Sequence, residues 1–182
     1  MPAPNVPGMS KLDTGVVPHA QQPAEVEVRR ADLADAELVG GLTERVYRQG
    51  GWTDEDYSRL LLDGRSRIEE AIVLVATAAG AVIGTVTMAL PGSRLANVGR
   101  AGEAEVRMLA VDEAARGRGV AGLLMDACEA LARNEGCAAV VLSTEPDMYA
   151  AHRLYRRRGY VRQPGRDWQA GRFRLKVFRR QL

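Results

Sequence analysis

The sequence predicts an α/β protein built on one mixed β-sheet with helices on its faces. Two observations lead to this prediction. Apolar runs of strand length come close together before residue 91, as in a hairpin, and strand-like runs then alternate with helix-like segments. At 182 residues the chain can bury one core of ordinary size, so we expect one domain over residues 25–182.

The first elements are predicted from local patterns. Residues 1–24 hold five of the eight prolines and show no periodicity, which predicts a disordered N-terminal tail. Residues 26–30 alternate charged side chains with valine and predict the first strand. Asp32, with Asp35 three residues later, predicts a helix start in an approximate capping box, and the Gly-Gly pair at 50–51 ends that helix.

A second helix and a hairpin follow. Thr53 and Asp56 predict the helix start, and a turn with a short charged connector extends over residues 63–71. Residues 72–77 and 82–90 are rich in strand-forming residues on either side of an Ala-Ala-Gly turn, so they predict two hairpin strands.

The central strand is predicted at residues 106–111, a short apolar run. Apolar residues at helical spacing begin at Val120, and Gly136 is expected to end that helix. Residues 138–144 form a continuous apolar run, which is typical of a strand buried on both faces. The remaining predicted elements are a helix over residues 146–158 and strands that start at residue 160 and extend over residues 173–178.

A glycine-rich turn joins the central strand to the next helix. Gly117 and Gly119 free the backbone just before the helix begins, so several N–H groups and the positive end of the helix dipole converge. Such a turn predicts an anion site, usually for phosphate, and Arg116 and Arg118 add positive charge beside it. A tight connection that binds nothing is the alternative.

The same glycines satisfy the dinucleotide-binding fingerprint as Gly117-x-Gly119-x-x-Gly122. Glu145 ends the following strand, where a ribose-binding acid could lie. Two features argue against this interpretation. A connector separates the strand from the first glycine, and too few residues follow the turn to form a second nucleotide-binding half.

The turn also resembles the pyrophosphate loop of the GNAT superfamily of N-acetyltransferases, through Arg116-x-x-Gly119-x-Ala121. A second segment, one helix and one strand further on, resembles that superfamily's A-x-x-L-Y-x-x-x-G-F/Y signature. The resemblance extends along nearly the whole chain after residue 25 and implies a mixed, mostly antiparallel sheet of about seven strands flanked by about four helices. The residues of the second signature are Ala151, Leu154, Tyr155, Gly159 and Tyr160.

The resemblance implies acetyl-CoA as co-substrate. The backbone of residues 108–111 would hydrogen-bond the pantetheine arm, the amides of residues 117–121 would bind the pyrophosphate, and Tyr155 would lie near the thioester sulfur. Met148 stands where many members carry an asparagine that contacts the cofactor. The cofactor-binding residues implied in this way are Met108, Leu109, Ala110, Val111, Arg116, Gly117, Arg118, Gly119, Val120, Ala121, Thr144, Ala151 and Tyr155.

Catalysis needs an acid for the leaving thiolate and a base for the amine. The resemblance implies Tyr155 as the acid, because a phenol can hydrogen-bond or protonate a thiolate. The best candidate base is Glu105, which begins the central strand where the histone-acetylating branch has its catalytic glutamate. Glu103, two residues earlier, could share or replace this role, and a water relay is the remaining alternative.

The predicted activity is acetyl-CoA-dependent N-acetyl transfer to a primary amine by direct attack in a ternary complex, because neither cysteine is placed to form an acyl-enzyme. A non-catalytic acyl-CoA-binding or regulatory module is the alternative. The acceptor, a small-molecule or peptide amine, is left open. Its pocket is expected to be shaped by residues 49–53, 91–102 and 163–171.

The distribution of charge along the sequence limits the kinds of binding partner that we expect. The net charge is only +2, but residues 153–182 hold ten Arg, one Lys and one acid. This basic end could pair with the acidic remainder, and nucleic acid is not expected because neither interleaved aromatic residues nor a recognition-helix motif is present. His152 and the arginines at 156–158 are expected on a solvated helix surface.

Cysteine and histidine usage excludes two further classes. With two Cys and two His, we expect neither a disulfide framework nor a metal site. No apolar run reaches membrane-spanning length and no signal-peptide pattern is present, so we expect a cytoplasmic protein without a membrane partner. A homodimer is left open.

Overall fold

The computed structural model describes residues 25–182, so the tail predicted for residues 1–24 lies outside the described residues. The described chain contains eight strands and five α-helices. The strands are β1 (Glu27–Arg30), β2 (Ile72–Ala78), β3 (Ala81–Ala89), β4 (Glu103–Val111), β5 (Ala139–Thr144), β6 (Val161–Arg162), β7 (Trp168–Ala170) and β8 (Phe173–Gln181). The helices are α1 (Ala36–Gly50), α2 (Glu55–Leu62), α3 (Gly64–Glu70), α4 (Val120–Asn134) and α5 (Tyr149–Arg157).

The strands form one sheet in the order β1-β2-β3-β4-β5-β8-β6, and β7 pairs with β8. Within residues 25–182, neighbouring strands run antiparallel except for the parallel pair β4–β5. The predicted fold class is confirmed. The structure adds one helix, α3, and one short strand, β7, to the elements expected from the sequence.

Helix α3 lies in the segment that was expected to be a charged connector. Asp63 caps it, because its carboxylate accepts a hydrogen bond from the Ser66 N–H at 3.0 Å. The side chain of Arg67 is only 2% exposed, so a charged residue occupies the buried face of this helix. A helix whose buried face holds an arginine has little apolar periodicity, which explains why the sequence pattern did not predict it.

The starts of α1 and α2 are set by side-chain caps. The capping box predicted at Asp32 is confirmed, since Asp35 Oδ2 accepts from the Asp32 N–H at 2.9 Å. It closes a 3₁₀ turn that leads into α1. Helix α2 is capped by Asp54 rather than by Thr53, and Asp54 Oδ1 accepts from the Tyr57 N–H at 2.9 Å. No helix within residues 25–182 is both long and apolar enough to cross a bilayer.

Alternate side chains of β2 point to opposite faces of the sheet and pack in two different hydrophobic clusters. Leu74 and Ala76 belong to the larger hydrophobic cluster, which includes α4 and α5. Val73 and Val75 point to the other face and pack with Val39 of α1. Helices therefore cover both faces of the sheet, as predicted.

Helix α1 contacts the corner between α2 and α3 at two glycines. A Cβ atom on Gly40 would lie 2.2 Å from the carbonyl oxygen of Leu62, and one on Gly64 would lie 2.1 Å from that of Ala36. Both positions therefore require glycine because the backbones approach so closely.

Strands β4 and β5 pair only along their first parts, over residues 103–106 and 139–142. Beyond this point β4 contains a bulge, in which Met108 and Leu109 oppose the single residue Val86 of β3. Met108 has a φ of 52°, an uncommon value for a residue with a side chain. Because the ladder between them ends here, a split opens between β4 and β5 toward their carboxyl ends.

Candidate active site

A cavity of about 790 Å³ lies in the split between β4 and β5. Its walls also include residues from α1, α2, α5, β7, β8 and the loop of residues 91–102. Concave, largely apolar sites with a few polar groups are typical of ligand-binding pockets. Seven of the nine aromatic residues of the chain line it, namely Tyr47, Trp52, Tyr57, Tyr149, Tyr155, Trp168 and Phe173.

The three segments expected to shape an acceptor pocket all line this cavity. They contribute Trp52, then Leu95 and Asn97, and then Trp168. The indole N–H groups of the two tryptophans are buried and have no hydrogen-bond partner within the described residues. Buried donors are normally paired, so both indoles lack, among residues 25–182, the partner that such groups usually have.

The edge of β4 that faces β5 is unpaired beyond Val106 in the described part of the chain. Arg107, Met108 and Leu109 of this segment line the cavity. Free backbone N–H and C=O groups at a strand edge can hydrogen-bond an extended ligand as they would another strand. This edge includes the segment predicted to bind a pantetheine arm.

Thr144 and Ala151, which were also predicted to bind the cofactor, line the same cavity. The hydroxyl of Thr144 donates to Met148 Sδ at 3.1 Å. Met148 lines the cavity too, so a thioether stands at the position where an asparagine amide was expected from the resemblance.

The glycine-rich turn has the backbone that its motif predicts. Gly117 and Gly119 have left-handed φ values of 76° and 80°. Gly119 is the N-cap of α4. Among the described residues, no side chain accepts a hydrogen bond from the N-terminal amides of this helix, and no Asp or Glu lies in its first turn. A 15-residue helix with an open N-terminus attracts anions through its amides and dipole. Arg116 and Arg118 lie exposed in the turn, and the buried side chain of Val120 anchors the helix start.

Tyr155 lies on α5 and is only 6% exposed, yet it lines the cavity. Its ring lies 5.8 Å from the ring of Tyr160 and 6.1 Å from that of Phe178, which fixes its orientation. Burial raises the pKa of the Tyr155 phenol well above its usual range, so the hydroxyl keeps its proton. The cavity wall therefore holds a fixed proton donor.

Glu105 is fully buried and does not belong to the residues that line the cavity. Its Oε2 accepts hydrogen bonds from the backbone N–H groups of Asn97, Val98 and Gly99 at 2.7, 2.7 and 2.8 Å. Its Oε1 lies 3.8 Å from Arg107 Nε and has no hydrogen-bond partner among residues 25–182. The carboxylate therefore holds the loop before β4, and its role as a base stays a prediction.

Glu103, the alternative base, is held by two arginines. Arg179 Nε donates to its Oε1 and Arg166 Nη2 donates to its Oε2, each at 2.7 Å. Burial opposes ionisation of Glu103, but the hydrogen bonds from both arginines outweigh it and lower the pKa of the carboxyl to about 2. So weak a base is unsuited to accept a proton near neutral pH.

Glu145 is a cavity residue that the sequence interpretation gave no catalytic role. It directly follows β5, and its side chain lines the cavity. Burial raises the pKa of its carboxyl to about 7, with a further contribution from Asp147 and an opposing one from Arg172. The position of Glu145 in the sequence could have indicated this role. It directly follows a buried strand of a parallel pair, and ligands commonly bind at the carboxyl ends of such strands.

The expectation of a solvated surface is wrong for His152 and Arg158, whereas Arg156 and Arg157 are exposed as expected. His152 is 4% exposed, and its Nε2 donates to the backbone oxygen of Glu145 at 2.9 Å. Arg158 is not a solvated helix end, because it donates to the buried carboxylate of Glu129 at 3.0 Å. Tyr160 donates to the same carboxylate at 3.1 Å. His152 and Arg158 are both held by hydrogen-bond partners in other parts of the fold, and local periodicity in the sequence does not show such partners.

The basic C-terminal end pairs with acids of the same chain, which favours internal pairing over a nucleic-acid partner. Within the described chain, no group of three or more His, Cys, Asp or Glu side chains is arranged to hold a metal ion. The ion pairs of this end are Arg158–Asp126, Arg158–Glu129, Arg180–Glu129, Arg162–Asp167, Arg166–Glu103 and Arg179–Glu103.

Known structures share this fold. Ard1 from Thermoplasma volcanium is 27% identical, with a TM-score of 0.61 over 86% of this chain and 97% of that chain. The PaiA N-acetyltransferase from Thermoplasma acidophilum, in complex with coenzyme A, is 13% identical, with a TM-score of 0.67 over 87% and 99%. The yncA protein from Salmonella typhimurium, with its cofactor acetyl-CoA, is 22% identical, with a TM-score of 0.64 over 86% and 94%.

No curated protein matches the chain significantly in sequence. A model of the acetyltransferase (GNAT) family matches residues 38–160, which include both motifs and most of the cavity walls. The dinucleotide interpretation fails, because it requires a doubly wound parallel sheet and this sheet is mostly antiparallel. The chain belongs to the GNAT family of acetyltransferases.

Proposed function

We propose that the protein is an acetyl-CoA-dependent N-acetyltransferase that modifies a primary amine by direct attack in a ternary complex. The observation that carries this proposal is the cavity between β4 and β5. It has an unpaired strand edge on one side, and its walls are lined by aromatic and acidic side chains. The presence of coenzyme A and acetyl-CoA in the PaiA and yncA structures supports the choice of co-substrate.

The chain offers two surfaces that suit acetyl-CoA. The free edge of β4 over residues 107–111 can hydrogen-bond the amides of the pantetheine arm. The amides around Gly117 and Gly119 and the open N-terminus of α4 suit the pyrophosphate. Arg116 and Arg118 add positive charge on the phosphate side.

The remainder of the cavity suits a protonated amine. Arg94 and Arg107 are its basic residues, and the guanidinium of Arg107 is engaged by the carbonyl oxygen of Leu95. Carboxylates and the faces of aromatic rings both attract a cation, so this lining favours an amine over an anionic acceptor. The acids of the lining are Asp54, Asp56, Glu145 and Asp147.

Tyr155 supplies the proton for the departing sulfur. When bound, acetyl-CoA supplies an activated acetyl thioester that an amine can attack without an acyl-enzyme. Tyr155 is protonated, buried and held by ring packing at the cavity wall, so it can donate a hydrogen bond or a proton to the thiolate as charge develops.

Glu105 is proposed to position the acceptor wall. It holds three amides of the loop that contributes Leu95 and Asn97 to the cavity. A role of Glu105 as base would require a water path, because the carboxylate lies behind the cavity wall.

A thiol-release assay tests the proposed function. The full chain is incubated with acetyl-CoA and a panel of small amines, amino acids, aminoglycosides and peptides with free N-termini. We expect at least one acceptor to release free thiol and to gain one acetyl group, as measured by mass spectrometry. Protein without acceptor serves as the control for plain thioester hydrolysis.

The two alternatives give different results in the same experiment. Binding of coenzyme A without acetylation of any amine would contradict the enzyme and would support the non-catalytic acyl-CoA-binding module. An absence of coenzyme A binding, measured by calorimetry, would contradict both.

A further inference from the structure

Glu145 lies at the open end of the split between β4 and β5. It follows Thr144, the last residue of β5, and lines the same cavity as Tyr155. Within the described residues its carboxylate makes neither a hydrogen bond nor a salt bridge. It is therefore a half-buried acid at the proposed site of reaction, without a side-chain partner among residues 25–182.

The backbone at Glu145 is held from two sides. His152 Nε2 donates to its carbonyl oxygen at 2.9 Å, and the ring of this buried histidine packs 5.3 Å from that of Phe178. Thr144 is paired with Lys176 of β8. Because its main chain is fixed, Glu145 can present its carboxylate to the cavity in a reproducible way.

We propose that Glu145 is the general base that takes a proton from the acceptor amine, directly or through one water molecule. The proposal rests on the proposed function, since it assigns a role within that reaction. A primary amine is protonated near neutral pH and cannot attack a carbonyl carbon until it has lost a proton.

The surroundings of Glu145 tune it for this role. Burial raises the pKa of its carboxyl to about 7, Asp147 raises it further and Arg172 lowers it. A base whose pKa lies near the working pH can accept a proton from the substrate and then release it to water.

The other titratable groups near Glu145 come from neighbouring elements. Tyr57 of α2 interacts electrostatically with Glu145, and burial raises the pKa of Tyr57, so this phenol is neutral. Burial lowers the pKa of His152, so its imidazole is neutral as well near pH 7. Lys176 stands opposite the preceding residue on β8. Asp147 and Arg172 are therefore the charges expected to move the titration of Glu145 most.

Four of the other acids near the cavity are engaged elsewhere, and the fifth, Asp147, is exposed. Asp54 caps α2, and Asp56 pairs with Arg59 at 2.8 Å. Glu103 is held by two arginines and Glu105 by three backbone amides. This leaves Glu145 as the cavity glutamate with a free carboxylate.

The proton balance closes with two side chains. Glu145 accepts one proton from the ammonium group. As the carbon–nitrogen bond forms and the carbon–sulfur bond breaks, Tyr155 gives its phenol proton to the sulfur, which keeps the bonding electron pair. A second proton from the nitrogen restores Tyr155, and Glu145 releases its proton to water. The products are an amide, a free thiol and one proton.

The substitution Glu145→Gln tests the proposal, because the amide keeps the volume and cannot act as a base. We expect kcat/KM at neutral pH to fall by about 100-fold or more. In the unsubstituted enzyme, activity should decline as the pH falls below about 7, because Glu145 becomes protonated. This acid limb of the pH profile should disappear in Glu145→Gln.

Matched variants sharpen the test. Glu69→Gln makes the same change at an exposed glutamate of α3 and should leave both the rate and the acid limb unchanged. Asp147→Asn should move the acid limb to lower pH, because it removes a charge that raises the pKa of Glu145. Glu105→Gln should keep the limb and raise the KM for the amine, because it loosens the loop that lines the cavity.

A second measurement does not depend on turnover. In ligand-free protein with carbon-13-labelled glutamate, one carboxyl resonance should titrate near pH 7 and be missing from Glu145→Gln. Calorimetry should show that this variant binds coenzyme A as tightly as the unsubstituted protein, because Glu145 is assigned to the amine.

The outcomes separate the two proposals. If the unsubstituted protein acetylates no amine, the proposed function fails and the role of Glu145 fails with it. If the protein is active and Glu145→Gln keeps its rate and its acid limb, Glu145 is not the base and the N-acetyltransferase stands. Loss of the acid limb in Glu105→Gln alone would assign the base to Glu105. A resonance near pH 7 that persists in Glu145→Gln would also overturn the proposal.

Discussion

Glu103, Glu105 and Glu145 are chemically identical side chains with different tasks. Two arginines keep Glu103 ionised near neutral pH. Three backbone amides hold Glu105 beneath a loop. Glu145 lines the cavity, and burial raises the pKa of its carboxyl to about 7. Each task is set by groups that other elements bring to the carboxylate, because hydrogen bonding and burial decide where a carboxyl group ionises.

Tyr155→Phe should lower kcat by roughly 100-fold, because the ring packing is retained while the proton for the leaving sulfur is lost. We expect little change in coenzyme A affinity. Steady-state thiol release gives kcat, and calorimetry gives the affinity.

Tyr160→Phe is the matched control on the same packed pair of rings. Its hydroxyl donates to buried Glu129 at 3.1 Å, so its loss should lower the free energy of unfolding by about 1–2 kcal/mol while most turnover is kept. Equal losses of kcat in the two variants would contradict a chemical role for Tyr155.

At the scale of elements, α1 and α2 form one wall of the cavity, through Tyr47 and Tyr57. The rings of these two residues lie 6.1 Å apart in an edge-to-face arrangement. The helices can approach because Gly40 of α1 lies directly against the Leu62 carbonyl group at the end of α2. The shape of the aromatic wall therefore depends on a glycine outside the cavity.

Gly40→Ala should lower the free energy of unfolding by about 2 kcal/mol or more, because the new Cβ atom would lie 2.2 Å from the Leu62 carbonyl oxygen, a backbone atom. Urea denaturation of the variant measures this change. Gly41→Ala, one residue later in the same helix, meets no atom within 4 Å and should stabilise the protein by about 0.5–1 kcal/mol. Equal effects of the two substitutions would contradict the close contact.

At the scale of the whole molecule, buried carboxylates join the elements on either side of the split. Glu103 at the start of β4 binds Arg179 of β8 and Arg166 of the 3₁₀ turn before β7. Glu129 of α4 binds Arg158 after α5 and Arg180 of β8. Glu103 lies where β4 and β5 are still paired, so its links tie β4 to β8 at the closed end of the split.

Glu103→Gln should destabilise the protein at pH 7 by roughly 1–2 kcal/mol, a value reduced from the full pKa shift because its partner Arg179 is partly exposed. The folded-state pKa of Glu103 is about 2, below its ordinary value of 4.5. The stabilisation is therefore complete above about pH 4.5 and is lost as the pH falls toward 2.

Urea unfolding at a series of pH values measures this dependence. The stability difference between the unsubstituted protein and Glu103→Gln should shrink as the pH falls below 4.5. Glu69→Gln, at an exposed salt bridge of α3, should change stability by less than about 1 kcal/mol at every pH. A difference for Glu103→Gln that does not depend on pH would contradict the assignment.

The sequence by itself determined the fold class, the order of the main elements and the family. Hydrophobic period, capping residues and glycine turns are local features, which is why Asp32, the turn at Gly117 and the motif at Tyr155 were identified from their neighbours in the chain. Helix α3 was missed because its buried face holds Arg67 in place of an apolar residue.

Only the tertiary structure decided which carboxylate faces the cavity. The sequence favoured Glu105 as the base and gave Glu145 no catalytic role, and the fold turns Glu105 toward loop amides and leaves Glu145 at the open strand end. Likewise His152 is buried and Arg158 is drawn away from solvent because Glu145 and Glu129 supply their partners from other parts of the fold. Burial and hydrogen bonding depend on contacts between distant residues, and these contacts exist only once the sheet and helices have packed.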